Sequence, residues 1–274
     1  MNPNGKFYNK DGRNIYVTRA ICDYFSKATF LRLLEESKYA IQNNAEFYLG
    51  LYSDDLLEHL GKNRIFKGTI SDEDRINLAE ALDFVDGAFL INSLDKNLIS
   101  SALDSKLLRQ KEQQTSKHHM NIEKKYKLGY ASGAFSNFHK GHMEHLRDMS
   151  KQCEKVIVAA NSDRLIREYK HKISSVDEKT RRLILSHIKY VDIAIVTDDY
   201  DKIKAIDKVR NICGEQFEAI FVGSDWKGSS NWKDFEQRLN EYGIDIVFTD
   251  RPKDGISTSK IDSSKAKKIE PEER

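Results

Sequence analysis

From Tyr126 onward, the sequence sets short apolar runs, "KLGYAS", "KVIVAAN", "VDIAIVT", "AIFVGS" and "DIVFT", between stretches of helical spacing such as "HMEHLRDMSKQC" and "KTRRLILSHIKY". Strand and helix in strict alternation imply crossover connections, and these build an α/β fold around a parallel, doubly wound sheet. Ligands on such sheets bind beyond the carboxyl ends of the strands, where the strand order reverses. The stretch "GAFSNFHKGH", Gly133 to His142, directly follows the first apolar run. Its histidines are expected at that edge.

The chain has 274 residues, enough for two domains that each bury a core. Residues 101–125 are polar and rich in Gln and Lys, and read as a partly helical linker between a domain at 1–100 and another at 126–274. His118 and His119 lie in that linker, but adjacent residues do not share a helix face, so they are read as surface. A formal net charge of +2 gives no global field toward nucleic acid. Any anion site must therefore be local. Cys22, Cys153 and Cys213 are far apart and lack Cys-x-x-Cys spacing, which argues for a reducing compartment and against a disulfide frame or zinc site. No signal-peptide core is present, and no stretch approaches the roughly eighteen apolar residues of a spanning helix. A cytoplasmic protein with no membrane span is expected.

The first hundred residues read as a worn copy of the second half. "YFSKATFLRLLEESK" lies against "NFHKGHMEHLRDMSK", and "LYSDDLL" against "ANSDRLI". Arg75 falls on Arg181 and Asp86 on Asp192, both at an interval of 106 residues. In the first copy Ser26 and Thr29 replace the two histidines and Ala28 the glycine between them. The scaffold is kept and the chemistry lost.

At a turn from parallel strand to helix, His139 and His142 meet unpaired backbone N–H groups and a positive dipole end. Gly133 and Gly141 let backbone approach a bulky ligand. Imidazoles at i and i+3 project from one side of the first turn and can donate to phosphate oxygens as charge builds there. A metal would need further ligands, and neither Glu144 nor His145 completes a zinc pattern. Packing alone fits poorly, because the surroundings supply glycines rather than an apolar stripe. Phosphate chemistry is the favoured reading, with no protein ligand set for a metal.

"GAFSNFHKGH", "GSDWKG" (Gly223 to Gly228) and "GISTSKI" (Gly255 to Ile261) together resemble the cytidylyltransferase family of the HxGH nucleotidyltransferases, most of all the bacterial glycerol-3-phosphate cytidylyltransferases. The resemblance implies a Rossmann-like nucleotidyltransferase fold present twice, its first copy degenerate. It places His139 and His142 on the triphosphate, with Gly133, Ala134 and Phe135 as the backbone cradle. Gly255, Ser257, Thr258 and Ser259 would hold the β- and γ-phosphates, Asp225 would accept from the cytosine amino group, and Trp226 would shape that wall. Lys172, with Lys170 as understudy, falls in the family's lysine segment. Arg181 matches its helix arginine. Lys189 falls near the acceptor phosphate, and Asp192 with it.

The implied activity is transfer of CMP from CTP to a phosphorylated small alcohol, glycerol 3-phosphate or similar, with Mg2+ as cofactor. Relatives usually read Gly-Thr-Phe-Asp before the histidines, where this chain has Ser136, and Arg-Thr-Glu-Gly before the serine-threonine motif, where it has "RPKDG". The acceptor therefore need not be glycerol phosphate. An adenylyltransferase on a sugar phosphate and a non-catalytic nucleotide-binding regulator are the alternatives. Single-domain relatives pair as homodimers. The worn copy is accordingly expected to act as an intrachain pseudo-twofold partner, leaving one working site per chain, with further homodimerisation open.

Overall fold

The computed structural model describes residues 4–62, 64–116, 123–250 and 261. The chain divides into two compact units between Ile122 and Glu123.

The first unit runs β1 (Lys6–Lys10), β2 (Arg13–Ala20), β3 (Tyr24–Phe25), α1 (Lys27–Gln42), β4 (Glu46–Tyr52), α2 (Asp54–His59), α3 (Asp72–Ala79), β5 (Gly87–Ile91) and α4 (Lys96–Ser116). Its sheet has the order β1-β2-β4-β5, with β2, β4 and β5 parallel. Strand β1 is antiparallel to β2. This unit is thus wound in one direction only, and a hairpin closes the other edge. Asp11 and Gly12, both at positive φ (53° and 76°), make the tight turn whose twist suits two antiparallel strands. Helix α4 carries Ile99, Leu103 and Leu107 into the core beside Tyr48 and Phe89. The linker expected from residue 101 therefore begins inside a core helix, because three apolar residues at four-residue spacing suffice to seat it.

The second unit runs β6 (Tyr126–Gly133), β7 (Phe138–His139), α5 (Lys140–Gln152), β8 (Cys153–Asn161), α6 (Asp163–Lys170), α7 (Glu178–Ser186), β9 (Ile193–Thr197), α8 (Lys202–Cys213), β10 (Ala219–Gly223), α9 (Ser230–Glu241) and β11 (Asp245–Thr249). The five strands of its main sheet are all parallel, in the order β11-β10-β6-β8-β9. The chain winds from β6 through β8 to β9, then crosses back to β10 and β11. The strand order reverses between β6 and β10, which is where such a sheet opens a crevice. All five expected strands form.

Helix starts follow local chemistry. Ser162 and Asp177 cap α6 and α7 by accepting from Leu165 N and Thr180 N, at 3.0 Å each. On one face of the sheet, Leu128, Tyr130, Ile157 and Ile220 pack against Ile206 and Val209 of α8 and Trp232 and Leu239 of α9. Tyr130 stacks on Phe217 at 4.8 Å. Among the described residues no helix is long and apolar enough to cross a membrane.

Candidate active site

Strand β6 ends at Gly133, and the chain turns through residues 134–137 before α5. Phe135 and Asn137 both adopt φ 49°, a left-handed conformation that costs a non-glycine residue on the order of 1–3 kcal/mol. Both are buried, so packing holds the strain in place. A Cβ on Gly133 would stand 3.2 Å from the Phe135 ring. A side chain there would press the ring back by a few tenths of an ångström.

His139 is the N-cap of α5. Its Nδ1 accepts from the Gly141 backbone N–H at 3.1 Å. That bond uses the Nδ1 lone pair and leaves Nε2 to carry the ring hydrogen as a donor. The His142 ring stacks on His139 with centroids 3.9 Å apart and planes 25° from parallel. Phe135 and Phe138 flank His142 at 5.2 and 5.6 Å. The first turn of α5 carries no acidic residue, and Lys140 pairs with Glu144 at 3.6 Å. A helix N-terminus with aligned imidazoles and no carboxylate in its first turn suits a polyanion. One turn on, His145 Nδ1 hydrogen-bonds Thr249 Oγ1 at 2.7 Å and ties α5 to the end of β11.

Across the crevice, β10 leads into a single tight turn, Ser224–Trp226. Asp225 is exposed there, and Trp226 packs on the core beneath. Lys202, which opens α8, was not singled out from sequence. Its Nζ donates to Ser132 Oγ at 2.8 Å and sets a cation at the carboxyl end of β6. A lysine starting a helix that follows a strand is the signal that could have found it. Lys172 is exposed between α6 and α7.

Three expected residues do not join this edge as substrate contacts. Arg181 is fully buried. Its Nε donates to Val176 O at 2.9 Å, Nη1 to Ala134 O and Asn161 O at 2.6 Å each, and Nη2 to Asp163 Oδ1 at 2.6 Å. It organises the loop rather than facing a ligand, because these four acceptors take up the guanidinium fork. Asp192 and Lys189 precede β9 and so lie at the amino ends of the strands. Asp192 Oδ2 accepts from Val156 N at 2.8 Å while its own N–H donates to Val156 O at 3.0 Å. Thr197, at the ligand-binding end of β9, is five residues further on, about 17 Å at roughly 3.3 Å per residue. The acceptor role expected for these two is not met within this unit. Gly255, Ser257, Thr258 and Ser259 lie outside the described residues.

In the first unit, the loop after β2 places Cys22 at φ 58°, and Ser26 caps α1 by accepting from Thr29 N at 3.2 Å. Arg64, buried, donates from Nη1 to Asp23 Oδ1 at 2.6 Å, from Nε to Asp54 Oδ1 at 2.5 Å and from Nη2 to Ile70 O at 2.9 Å. A side chain of the protein's own thus meets the carboxylates beside that loop. Burial holds the Asp23 carboxyl above the usual carboxylate range, opposed by Arg64.

The cytidylyltransferase-like family matches residues 130–263. The chain is 32% identical over 130 residues to glycerol-3-phosphate cytidylyltransferase of Staphylococcus aureus, covering 47% of this chain and 87% of that protein. It is 28% identical over 117 residues to FAD synthase of Archaeoglobus fulgidus, covering 43% of this chain and 80% of that protein. Against bifunctional protein HldE of Rhodopseudomonas palustris it is 28% identical over 86 residues, covering 31% of this chain and 18% of that longer protein. The matched residues take in the parallel sheet from Tyr130 onward and the His139–His142 turn at the start of α5. The chain belongs to the cytidylyltransferase-like family of nucleotidyltransferases.

Proposed function

We propose that the second unit transfers CMP from CTP to a phosphorylated small alcohol, releasing pyrophosphate and a CDP-alcohol. The observation that carries this reading is the stacked His139–His142 pair at the N-terminus of α5. It faces the same sheet edge as Asp225, the residue suited to accept from an exocyclic amino group.

An acceptor phosphate monoester is mostly dianionic near pH 7, since its second pKa is about 6. Its oxygen attacks the α-phosphorus in line, the bond from α-phosphorus to the bridging oxygen breaks, and pyrophosphate leaves with that electron pair. No general base is needed. The site's work is to align the anions and cancel charge. His139 donates through Nε2, His142 stacks beside it, the first-turn N–H groups of α5 face the phosphates, and Lys172 supplies a mobile cation. Imidazoles suit magnesium poorly, and among the described residues no three His, Cys, Asp or Glu side chains gather as a metal site. In the proposed reaction a magnesium ion would come with the nucleotide, whose phosphate oxygens suit it. Such an ion would add charge neutralisation at the β- and γ-phosphates.

In this reading the first unit is a copy of the same scaffold without the reaction. Supporting it, Arg75 donates to Ile21 O and Tyr52 O much as Arg181 does to Ala134 O and Asn161 O. Asp86 brackets Phe47 as Asp192 brackets Val156. One nucleotide per chain is expected by titration. A second reading, an adenylyl donor, is favoured by the likeness to FAD synthase, a protein named for an adenine dinucleotide.

Pyrophosphate release is measured with CTP or ATP and magnesium across a panel of phosphorylated polyols, amino alcohols and sugars, and the product is identified by mass. A CDP-alcohol supports the proposal. Turnover with ATP alone replaces it with the second reading, and nucleotide binding without release from any acceptor leaves a regulator.

A further inference from the structure

The loop before the histidines is fastened to the segment that carries Lys172. Ser174 Oγ donates to Val176 O at 2.6 Å and accepts from Val176 N at 3.2 Å. Its single hydroxyl hydrogen is thereby spent, so in the 2.8 Å contact between Ser136 Oγ and Ser174 Oγ the donor is Ser136. Beside it, Asn137 Nδ2 donates to Ser175 Oγ at 2.9 Å. Arg181 spans the same junction, holding Val176 O and Ala134 O together. Ser136 and Asn137 are buried at 4% and 0% exposure, so their side chains are fixed and cannot turn to water.

The serines delimit a short strap. Helix α6 ends at the left-handed His171, φ 49°, and the latch begins at Ser174. Lys172 is the middle of the three residues between Lys170, the last residue of α6, and Ser174, a span of at most about 10 Å when extended. At the other end of the latch, Asn137 is two residues from His139. One pair of hydrogen bonds, Ser136 to Ser174 and Asn137 to Ser175, therefore limits how far the Lys172 backbone can stray from the histidine loop. Without it the strap would hang from α6 and Val176 and sample a wider volume.

We propose that Ser174 and Ser175, latched to Ser136 and Asn137, are positioning residues that hold the Lys172 strap against the histidine loop, so that its ammonium meets the same phosphate group as His139 and His142. This rests on the reading of the second unit as a nucleotidyltransferase. It also gives Ser136 a use where relatives carry an aspartate: a neutral hydroxyl can donate to Ser174, which a carboxylate cannot.

The test is a cycle of full-length variants: the double Ser174→Ala/Ser175→Ala, Lys172→Ala, and the triple. Tryptic cleavage after Lys172, read by mass without substrate, is followed in the parent protein and the double variant, and kcat and KM for nucleotide turnover in all. The double variant is expected to be cut about tenfold faster after Lys172 and to lose about tenfold in kcat/KM. That loss should vanish when Lys172 is already alanine, because the serines act through it. Should the double variant fold poorly, Ser175→Ala alone, at an exposed position, carries the same test through the Asn137 bond. Unchanged cleavage overturns the latch. A full loss that persists in the Lys172→Ala background overturns its action through that lysine. Failure of the parent protein to turn over any nucleotide sinks the functional reading instead, and the cleavage rates then judge the latch by themselves.

Discussion

Replacing Arg181 by methionine tests whether this residue builds the site or touches the substrate. The substitution keeps the length and apolar bulk of the side chain and deletes every donor. Three backbone carbonyls, the buried Val176 O and the partly buried Ala134 O and Asn161 O, then lose their partner, at about 1 kcal/mol each. Asp163 loses its ion pair as well, but its side chain is 38% exposed and rehydrates, which limits that part to about 1 kcal/mol. The expected total is about 3–5 kcal/mol, a large share of the roughly 5–15 kcal/mol that holds a domain together. Arg181→Lys should lose less, since an ammonium can still reach part of the set but cannot reproduce the planar fork. The assay is urea unfolding followed by tryptophan fluorescence. Both tryptophans, Trp226 and Trp232, lie in the second unit, so the signal reports that unit without interference. A stability loss below about 1 kcal/mol with turnover abolished would refute the argument and return Arg181 to the substrate.

Other outcomes follow from the same geometry. His142→Ala should lower turnover by a factor on the order of a hundred while leaving the melting temperature nearly unchanged; equal rates in a pyrophosphate assay would remove its role. Burial pushes the thiols of Cys22 and Cys153 up to about 12. At pH 8 a thiol reagent should therefore label Cys213 alone in the folded protein and all three cysteines in urea; rapid labelling of all three in the folded protein would contradict that burial. Arg64→Met should destabilise the first unit by about 3–5 kcal/mol near neutrality by stranding the buried Asp23 carboxylate. Because the folded-state pKa of Asp23 already lies above its unfolded value, its own contribution to stability is full below the ordinary carboxylate range and is lost as pH rises through the raised value. The cost of Arg64→Met should therefore shrink in acid, where Asp23 is protonated; circular dichroism melts showing an equal cost at both pH values would rule this out.

The sequence by itself determined that the second unit is built on a parallel, doubly wound sheet. Alternation of β6, β8, β9, β10 and β11 with helices leaves few ways to bury the apolar runs, and crossover handedness removes most of these. It also determined that His139 and His142 stand at a strand-to-helix turn, because glycines and a capping position are local properties. Some of what was missed was still written in the chain: Asp11-Gly12 is a hairpin turn, and Ile99, Leu103 and Leu107 mark a core stripe. Lys189 and Asp192 precede a strand, which in a parallel sheet puts them at the end away from the ligand edge. Only tertiary structure decided where Arg181 points. Its neighbours Ile184 and Leu185 on the same helix face sink into the core, and the guanidinium follows because three carbonyls, from two loops and the end of β8, converge there to receive it. The join of Ser174 and Ser175 to Ser136 and Asn137 is of the same kind. It links residues 38 positions apart, and no local pattern encodes a contact that exists only once the sheet has brought two loops to one edge.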